Sequence, residues 1–219
     1  MVKLLAILVL AWTGWAQTGI EPQPEEKEET HIMGVVPIYN AVEVPHPFTP
    51  LTPKGKFKIA AEDSFDPYTW VINGVYAGAE QWNHQDREFG QGAAGYAKRY
   101  GALFADQAIS TYFTEAFLPV LFHEDPRYFR RGEGNAWKRA GYAMTRVLIT
   151  RIDSGGKRFN TSEILGNAAG AAIGSLYHAP SERDGSEIAE RFALSVISDA
   201  GFNVLKEFWP DMRHKVLKR

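Results

Sequence analysis

The sequence has no cysteine among its 219 residues. Disulfide bonds and thiolate chemistry are therefore excluded, and the fold must be stabilised by packing alone. Long hydrophobic runs are also scarce. The clearest one is Leu4 to Trp12 (LLAILVLAW), and its length is about half of the roughly 20 residues that a membrane-spanning helix needs.

This short apolar run has the flanks of a secretory signal. Lys3 precedes it, and Thr13 to Ala16 supplies small residues before a cleavage site at Gln17. The pattern predicts a signal peptide over residues 1–16, with an uncleaved N-terminal anchor as the alternative. We expect the protein to be exported, to the periplasm or to the outer membrane.

The net charge of −2 hides a strong asymmetry along the chain. Residues 21–30 carry five Glu and one Lys, whereas residues 127–158 carry nine Lys or Arg and only Glu133 and Asp153 as acids. A basic half of this kind indicates an anionic partner. In an exported protein, lipid head groups or an envelope polyanion fit better than nucleic acid. The alternative is a solvated basic face.

The composition divides the chain into four parts. After the signal, residues 17–53 are rich in Glu and Pro and predict an extended linker. Residues 54–212 predict a helical domain, and residues 213–219 a basic tail. The linker could lie along the domain surface through Ile38, Tyr39 and Phe48.

Helical spacing of apolar residues dominates the domain, and no run alternates as a strand would. Capping residues and prolines predict helices over 55–64, 68–82, 92–123, 135–152, 161–177 and 185–208. Pro119 should bend or end the third helix. The predicted fold class is all-α, a compact bundle of glycine- and alanine-rich helices.

Glycine recurs at helical spacing in two of these helices. Gly166, Gly170 and Gly174 form a stripe in the fifth, and Gly74 and Gly78 repeat the spacing in the second. Each glycine inside a helix costs about 1 kcal/mol relative to alanine, so the stripes predict close helix packing. Membrane helices and soluble bundles both use this pattern, and it could also join copies of the chain.

Basic and aromatic residues follow the most apolar helix. The segment from Gly101 to Phe122 contains Asp106 and Glu115, which disfavour a conventional membrane span. Beyond it stand the residues of a predicted membrane- or anion-binding segment: Arg127, Tyr128, Phe129, Arg130 and Arg131. An ordinary helix end, with its aromatic residues covering the core, is the alternative.

The residues that could carry chemistry match no established catalytic motif. Asp106, Glu115 and His123 could converge across helices, but no helical spacing of metal ligands occurs, and we expect no metal and no cofactor. Several polar residues stand among apolar ones: Asn73, Asp106, Glu115, Arg146, Asn167, Asp199 and Asn203. Buried ion pairs, with Arg146 or Arg151 joined to Asp106 or Asp199, or a polar functional cleft would explain them.

Two sequence motifs resemble those of a known but uncharacterised protein family. Residues 125–130 (DPRYFR) and 203–211 (NVLKEFWPD), with the segments around 57–68 and 150–156, resemble an uncharacterised family of exported, acidobacterial-type helical proteins. The resemblance covers most of residues 54–212. It implies export and a shared helical domain, and it implies no activity and no site.

These observations together predict a non-enzymatic, membrane-associated or scaffolding domain of the cell envelope. A hydrolase acting on lipid or cell-wall material, using Asp106, Glu115 and His123, is the second hypothesis. A carrier with an apolar cavity between its helices is the third.

Overall fold

In the computed structural model, the described part of the chain comprises residues 31–32, 36–38, 40–43 and 48–217. It is mostly helical, which agrees with the predicted class, and it also contains a few small sheets. The predicted signal at residues 1–16 lies outside the described residues.

The first helices begin where capping residues predict them. Helix α1 spans Pro53–Ser64 and is capped by Thr52, whose hydroxyl accepts from Gly55 N. Helix α2 spans Pro67–Trp82 and is capped by Asp66. Each starts with proline, because the first-turn N–H has no helical partner and its loss costs little.

The third helix is a long rod with an irregular turn inside it. Helix α3 spans Gly92–Thr111, a π-helical turn covers Tyr112–Phe117, and α4 continues over Leu118–Phe122. The irregular turn immediately precedes Pro119, whose ring and missing N–H disturb regular α-helical bonding. His123 ends the rod in the left-handed conformation, with φ of 55°.

The remaining helices differ from their predicted bounds. Helix α5 spans Ala136–Thr145, α6 spans Thr161–Gly174 and α7 spans Gly185–Leu217. The predicted helix over 135–152 is therefore too long. The predicted end at 208 is too early, because α7 continues past Pro210 into the predicted tail. Short 3₁₀ turns cover Arg87–Phe89 and Pro180–Glu182.

Among the described residues, seven short strands form three small sheets that the hydrophobic pattern did not predict. Strands β1 (His31–Ile32) and β2 (Val36–Pro37) are antiparallel. Strand β3 (Ala41–Glu43) pairs in parallel with β5 (Tyr128–Arg130). Strand β6 (Ile149–Ile152) pairs with β4 (Glu124–Asp125) and β7 (Lys157–Phe159). Strands of two to four residues are too short for an alternating pattern to be visible.

The end of the predicted linker takes part in the fold. Ile38 and Ile32 are buried against Trp209, and β3 extends the sheet beside Phe129. Buried polar and charged side chains among the described residues are as numerous as buried apolar ones. Helix α3 and its π turn lie at the centre, with α1, α2 and α6 against them and α7 packed on α5 and α6.

Candidate functional site

A cavity of about 690 Å³ lies between the helices. Helices α1, α2, α3, α6 and α7 and the π turn all contribute side chains to its lining. The volume falls within the range of sites for small molecules. Its lining contains many charged and amide side chains, while apolar atoms make up the larger part of the exposed wall.

Four carboxyl groups from four different elements form an acidic cluster in this cavity. Their residues are Asp63 of α1, Glu115 of the π turn, Glu163 of α6 and Asp199 of α7. The Asn167 amide nitrogen donates to Glu163 Oε1 at 3.3 Å and to Asp199 Oδ2 at 2.9 Å, so these two carboxyl groups lie side by side. Asn40 donates to Glu115 Oε1 at 2.6 Å.

A single ammonium group stands beside this cluster. Lys206 Nζ donates to Asn40 Oδ1 at 2.6 Å, and its charge acts on Asp63, Glu115 and Glu163. None of the four carboxyl groups forms an ion pair within 4.0 Å in the described part of the chain. The acidic cluster therefore carries more potential negative charge than nearby cations neutralise.

Burial changes the acidity of these groups. Burial, followed by the charge of Asp63, raises the pKa of Glu115 well above its usual range. Burial and the charge of Asp199 do the same for the pKa of Glu163. Burial also raises the pKa of Asp63. Because desolvation disfavours the carboxylate form, burial favours the protonated forms of Glu115 and Glu163.

A second group of titratable side chains is centred on His178 at another part of the wall. His178 Nε2 lies 2.7 Å from Asp106 Oδ2 and its Nδ1 lies 3.4 Å from Asp86 Oδ1. Burial opposes the charged ring, but hydrogen bonds to Asp106 and Asp86 outweigh it and raise the pKa of His178 to about 9. Tyr177 also donates to Asp106, at 2.5 Å. The imidazolium is held between two aspartates and serves as a structural cation.

Several polar atoms of the cavity wall have no hydrogen-bond partner. The acceptors are Glu80 Oε2, Gln107 Oε1 and Glu115 Oε2; the donors are Asn73 Nδ2, Arg146 Nε and Arg191 Nη1; and Ser162 Oγ can act as either. Asn73 is only 6% exposed and Ser162 only 1%. Leaving a buried polar group unpaired costs about 1–3 kcal/mol, so this wall is arranged for a polar occupant.

The seven polar residues singled out in the sequence all line this cavity: Asn73, Asp106, Glu115, Arg146, Asn167, Asp199 and Asn203. The ion pairs expected among them do not form. Asp106 pairs with His178, Asp199 accepts from Asn167, and the Arg146 guanidinium stacks on the Tyr142 ring at 4.5 Å. The seven residues are therefore explained by their position on the cavity wall, and not by ion pairs between helices.

His123 does not join Asp106 and Glu115. Its side chain is 83% exposed and lies 4.0 Å from Asp153, outside the cavity lining. The left-handed backbone at His123 turns the chain away at the end of α4. The predicted three-residue combination is therefore not assembled, and His178 is the histidine that contacts Asp106.

The predicted membrane- or anion-binding segment makes extensive contacts within the chain. Arg127 pairs with Asp125 at 2.6 Å, and Arg130 pairs with Asp211 at 3.0 Å. Tyr128 and Phe129 are buried, whereas Arg131 is exposed. Binding of an anionic surface by these five residues stays a prediction, and Arg131 is the member whose side chain faces solvent.

The two resemblance motifs meet at a buried ion-pair network around Glu207. Its carboxylate accepts from Tyr128 Oη at 2.7 Å, from Arg139 Nε at 2.8 Å and from the backbone N–H groups of Arg131 and Gly132. These bonds outweigh the effect of burial and lower the pKa of Glu207. The network joins residues 125–130 to 203–211 and has a structural role.

The glycine stripe of α6 faces the rod of α3 within the same chain. A Cβ on Gly166 would lie 2.6 Å from Thr114 Cγ2, one on Gly170 would collide with Ser110, and one on Gly174 would lie 2.7 Å from Asp106 Oδ1. Gly74 contacts Tyr96, whereas Gly78 has no neighbour within 4 Å. A contact between copies of the chain would therefore have to use another surface, such as that around Gly78.

The described residues show neither a metal-ligand group nor a membrane-spanning helix. No three His, Cys, Asp or Glu side chains in that part of the chain are grouped to hold a metal ion. Within the same residues, no helix combines the length and the apolar character needed to cross a bilayer.

Comparisons of the chain with models of protein families, with curated proteins and with solved structures found no match. The likeness to exported acidobacterial-type proteins therefore stays a resemblance.

Sequence reasoning missed several cavity residues, among them Asp63, Glu163, His178 and Lys206. Glu163 lies in the first turn of α6, where an acidic residue is common because it stabilises the start of a helix. Lys206 lies in the motif 203–211, for which the sequence indicated a family resemblance and no role. A usable signal was present in α6 and α7, because Glu163 and Asn167, like Asp199 and Asn203, are four residues apart and so share one helix face.

Proposed function

We propose that this protein is an exported, membrane-associated, non-enzymatic protein that binds a small polar ligand in its central cavity. One observation carries the proposal: the polarity of the helices is partly inverted. Many charged and amide side chains line the cavity, and many large apolar side chains are exposed.

Helix α2 displays the inversion most clearly. Its exposed residues are Pro67, Trp70, Val71, Val75, Tyr76, Gly78, Ala79 and Trp82. Its polar side chains Asn73 and Glu80 line the cavity instead. Val71 is 67% exposed and Trp82 is 84% exposed. Large contiguous apolar surfaces of this kind mark contact with a partner or a membrane.

Helices α6 and α7 continue the same arrangement. The exposed residues of α7 between 191 and 205 are Ala193, Leu194, Ile197, Ser198, Gly201 and Phe202. Of these, Leu194, Ser198 and Phe202 also border the cavity. Its charged residues Arg191 and Asp199 line the cavity. On α6 and just beyond it, Leu165 and Leu176 are exposed.

A lipid surface is the occupant that best fits these outer faces. The apolar positions belong to three helices around a polar interior, an arrangement that suits a fluid apolar medium better than a single flat protein partner. Trp70 and Trp82 stand about 18 Å apart along α2, at 1.5 Å per residue. Tryptophan is enriched where protein meets the membrane interface, and the predicted signal directs the chain to an envelope that contains membranes.

The cavity favours a polar ligand over an apolar one and binding over hydrolysis. Its unpartnered acceptors and donors suit hydrogen bonds, which an apolar cargo could not supply. A hydrolase built on Asp106, Glu115 and His123 lacks its histidine, because that side chain is exposed elsewhere.

Vesicle flotation tests the membrane part of the proposal. The protein is purified from the envelope fraction, and mass spectrometry determines whether residues 1–16 have been removed. We expect it to float with neutral phosphatidylcholine vesicles, with little loss at high salt, because apolar contacts are not screened. Burial of a valine side chain contributes about 1.5–3 kcal/mol. The double variant Val71→Glu/Val75→Glu should therefore lower partitioning on the order of 100-fold.

Trp137→Glu is the matched comparison, because Trp137 is 89% exposed on α5 in the basic part of the chain. It should leave partitioning unchanged. If Trp137→Glu or Arg131→Glu abolishes binding while the α2 variant floats normally, the basic segment is the contact and the α2 face is not. Circular dichroism verifies that each variant is folded.

A further inference from the structure

The four carboxyl groups of the acidic cluster differ from the fully buried carboxylates Glu124, Asp125 and Glu207 in how they are neutralised. Outside the cluster, Glu124 pairs with Arg158, Asp125 with Arg127 and Glu207 with Arg139. Asp63, Glu115, Glu163 and Asp199 have no such pair within 4.0 Å. The ammonium group of Lys206 is the cation whose charge acts on the first three. Buried charges are normally paired, so the cluster has room for one more cation.

Unpartnered polar atoms of the same cavity wall supply a second and independent indication. Ser162 Oγ and Gln107 Oε1 can accept hydrogen bonds and lack donors. Ser162, at 1% exposure, is deeply buried and still lines the cavity. An ammonium group carries up to three N–H donors and no acceptor, which complements a wall with spare acceptors.

We propose that the central cavity binds a small organic amine, with its ammonium group held by Glu115, Glu163 and Asp199 and the rest of the molecule filling the polar cavity. The inference deepens the proposed function and rests on it for the cavity being a ligand site. A bare metal ion fits less well, because no metal-ligand grouping occurs among the described residues and the cavity is far larger than an ion.

Binding should be coupled to proton release. In the empty cavity, burial favours the protonated forms of Glu115 and Glu163, and the positive charge of an arriving ammonium group favours their carboxylate forms. Each bound amine should then release about one proton, and its affinity should rise with pH until the free amine loses its own charge. The other charged side chains of the cavity wall act on the same equilibrium: Glu80, Asp106, Glu124, Asp125, Arg127, Arg146, Arg151, His178, Arg191 and Lys206.

Isothermal titration calorimetry with four probes tests the proposal. Butylamine and putrescine carry the ammonium group, whereas butanol and butyrate match butylamine in size without it. We expect saturable binding of the two amines only, with a heat that changes between buffers of different ionisation enthalpy. Equal binding of butanol and butylamine, or no saturable binding of either amine at millimolar concentrations, would overturn the proposal.

Isosteric variants separate a binding role from a structural one. Glu163→Gln and Asp199→Asn should each weaken amine binding at least 10-fold, while the melting temperature stays equal or rises, because an unpaired buried acid is replaced by a neutral amide. Glu133→Gln, at an exposed position outside the cavity, should bind as the unaltered protein does. Unchanged affinity in both cluster variants would contradict the assignment.

Vesicle flotation distinguishes an amine on a lipid head group from a free amine. It also tests amine binding and membrane binding separately. Adding phosphatidylethanolamine to phosphatidylcholine vesicles should strengthen flotation, and Glu163→Gln should remove that gain, if the amine belongs to a lipid head group. If free amines bind and the head group adds nothing, the ligand is a free amine. Cluster variants that lose amine binding but still float would show that amine binding and membrane binding are independent properties of the protein.

Discussion

The close contact between α6 and the central rod can be tested by adding a single methyl group. In Gly166→Ala, the new Cβ would lie 2.6 Å from Thr114 Cγ2 and 2.9 Å from the backbone nitrogen of Thr114. Favourable separations between carbon atoms are about 3.5–4.0 Å. The backbone of Thr114 cannot rotate away as a side-chain end can, so α6 or the π turn must shift.

The expected loss follows from two opposing effects. Overpacking a tight interior costs about 1–3 kcal/mol or more, and replacing glycine by alanine inside a helix returns about 1 kcal/mol. Because the contact here is with backbone, we expect Gly166→Ala to lose about 2 kcal/mol of unfolding free energy. Gly141→Ala on α5 has no neighbour within 4 Å and should gain up to about 1 kcal/mol.

Urea unfolding followed by circular dichroism measures this difference of about 3 kcal/mol, provided that the two variants have similar m-values. In thermal unfolding, the same difference corresponds to melting temperatures that are roughly 6–12 °C apart. Gly78→Ala, which also has open space at the new Cβ, is a second control. If Gly166→Ala is as stable as Gly141→Ala, the stripe does not limit the approach of the two helices, and the packing argument is wrong.

Two further predictions concern buried ionised groups. Glu207→Gln should lose about 1.5–3 kcal/mol in urea unfolding, because Tyr128, Arg139 and two backbone N–H groups lose a charged acceptor while Arg139 keeps its pair with Asp211; an effect as small as that of Glu133→Gln would contradict this. The pKa of His178 is raised to about 9, above its ordinary value of about 6.5. Its stabilisation is therefore complete below pH 6.5 and is lost as pH rises through 9, by about 3 kcal/mol. In urea unfolding measured across pH, His178→Gln should abolish this loss of unfolding free energy at high pH. If the variant shows the same pH dependence as the unaltered protein, His178 is not the group responsible.

The positions of the helices follow largely from local chemistry. Asp66 before Pro67 and Asn160 before Thr161 mark helix starts whose side chains accept hydrogen bonds from free first-turn N–H groups. The long helix over 185–208 is correctly predicted in type, but its end is not. Trp209 is buried against Ile32 and Ile38, and this tertiary contact favours continuation of the helix past Pro210.

The small strands and the start of the fold depend on distant partners. Strand β3 has little strand character of its own and is ordered by pairing with β5, more than 80 residues away. The predicted linker therefore contributes Asn40, which bonds to both Glu115 and Lys206 at the cavity. Local sequence patterns carry no information on such pairings.

The absence of cysteine, the helical class, the glycine stripe and the unusual polar residues are all properties of the sequence itself. Helical spacing was sufficient to indicate that Gly166, Gly170 and Gly174 share one face, because the period of an α-helix is fixed by its geometry. Only the tertiary structure decided that the stripe meets Ser110 and Thr114 of the same chain. It alone also brought Glu115, Glu163 and Asp199 together without ion-pair partners, since neutralisation of a buried charge depends on distances between separate elements.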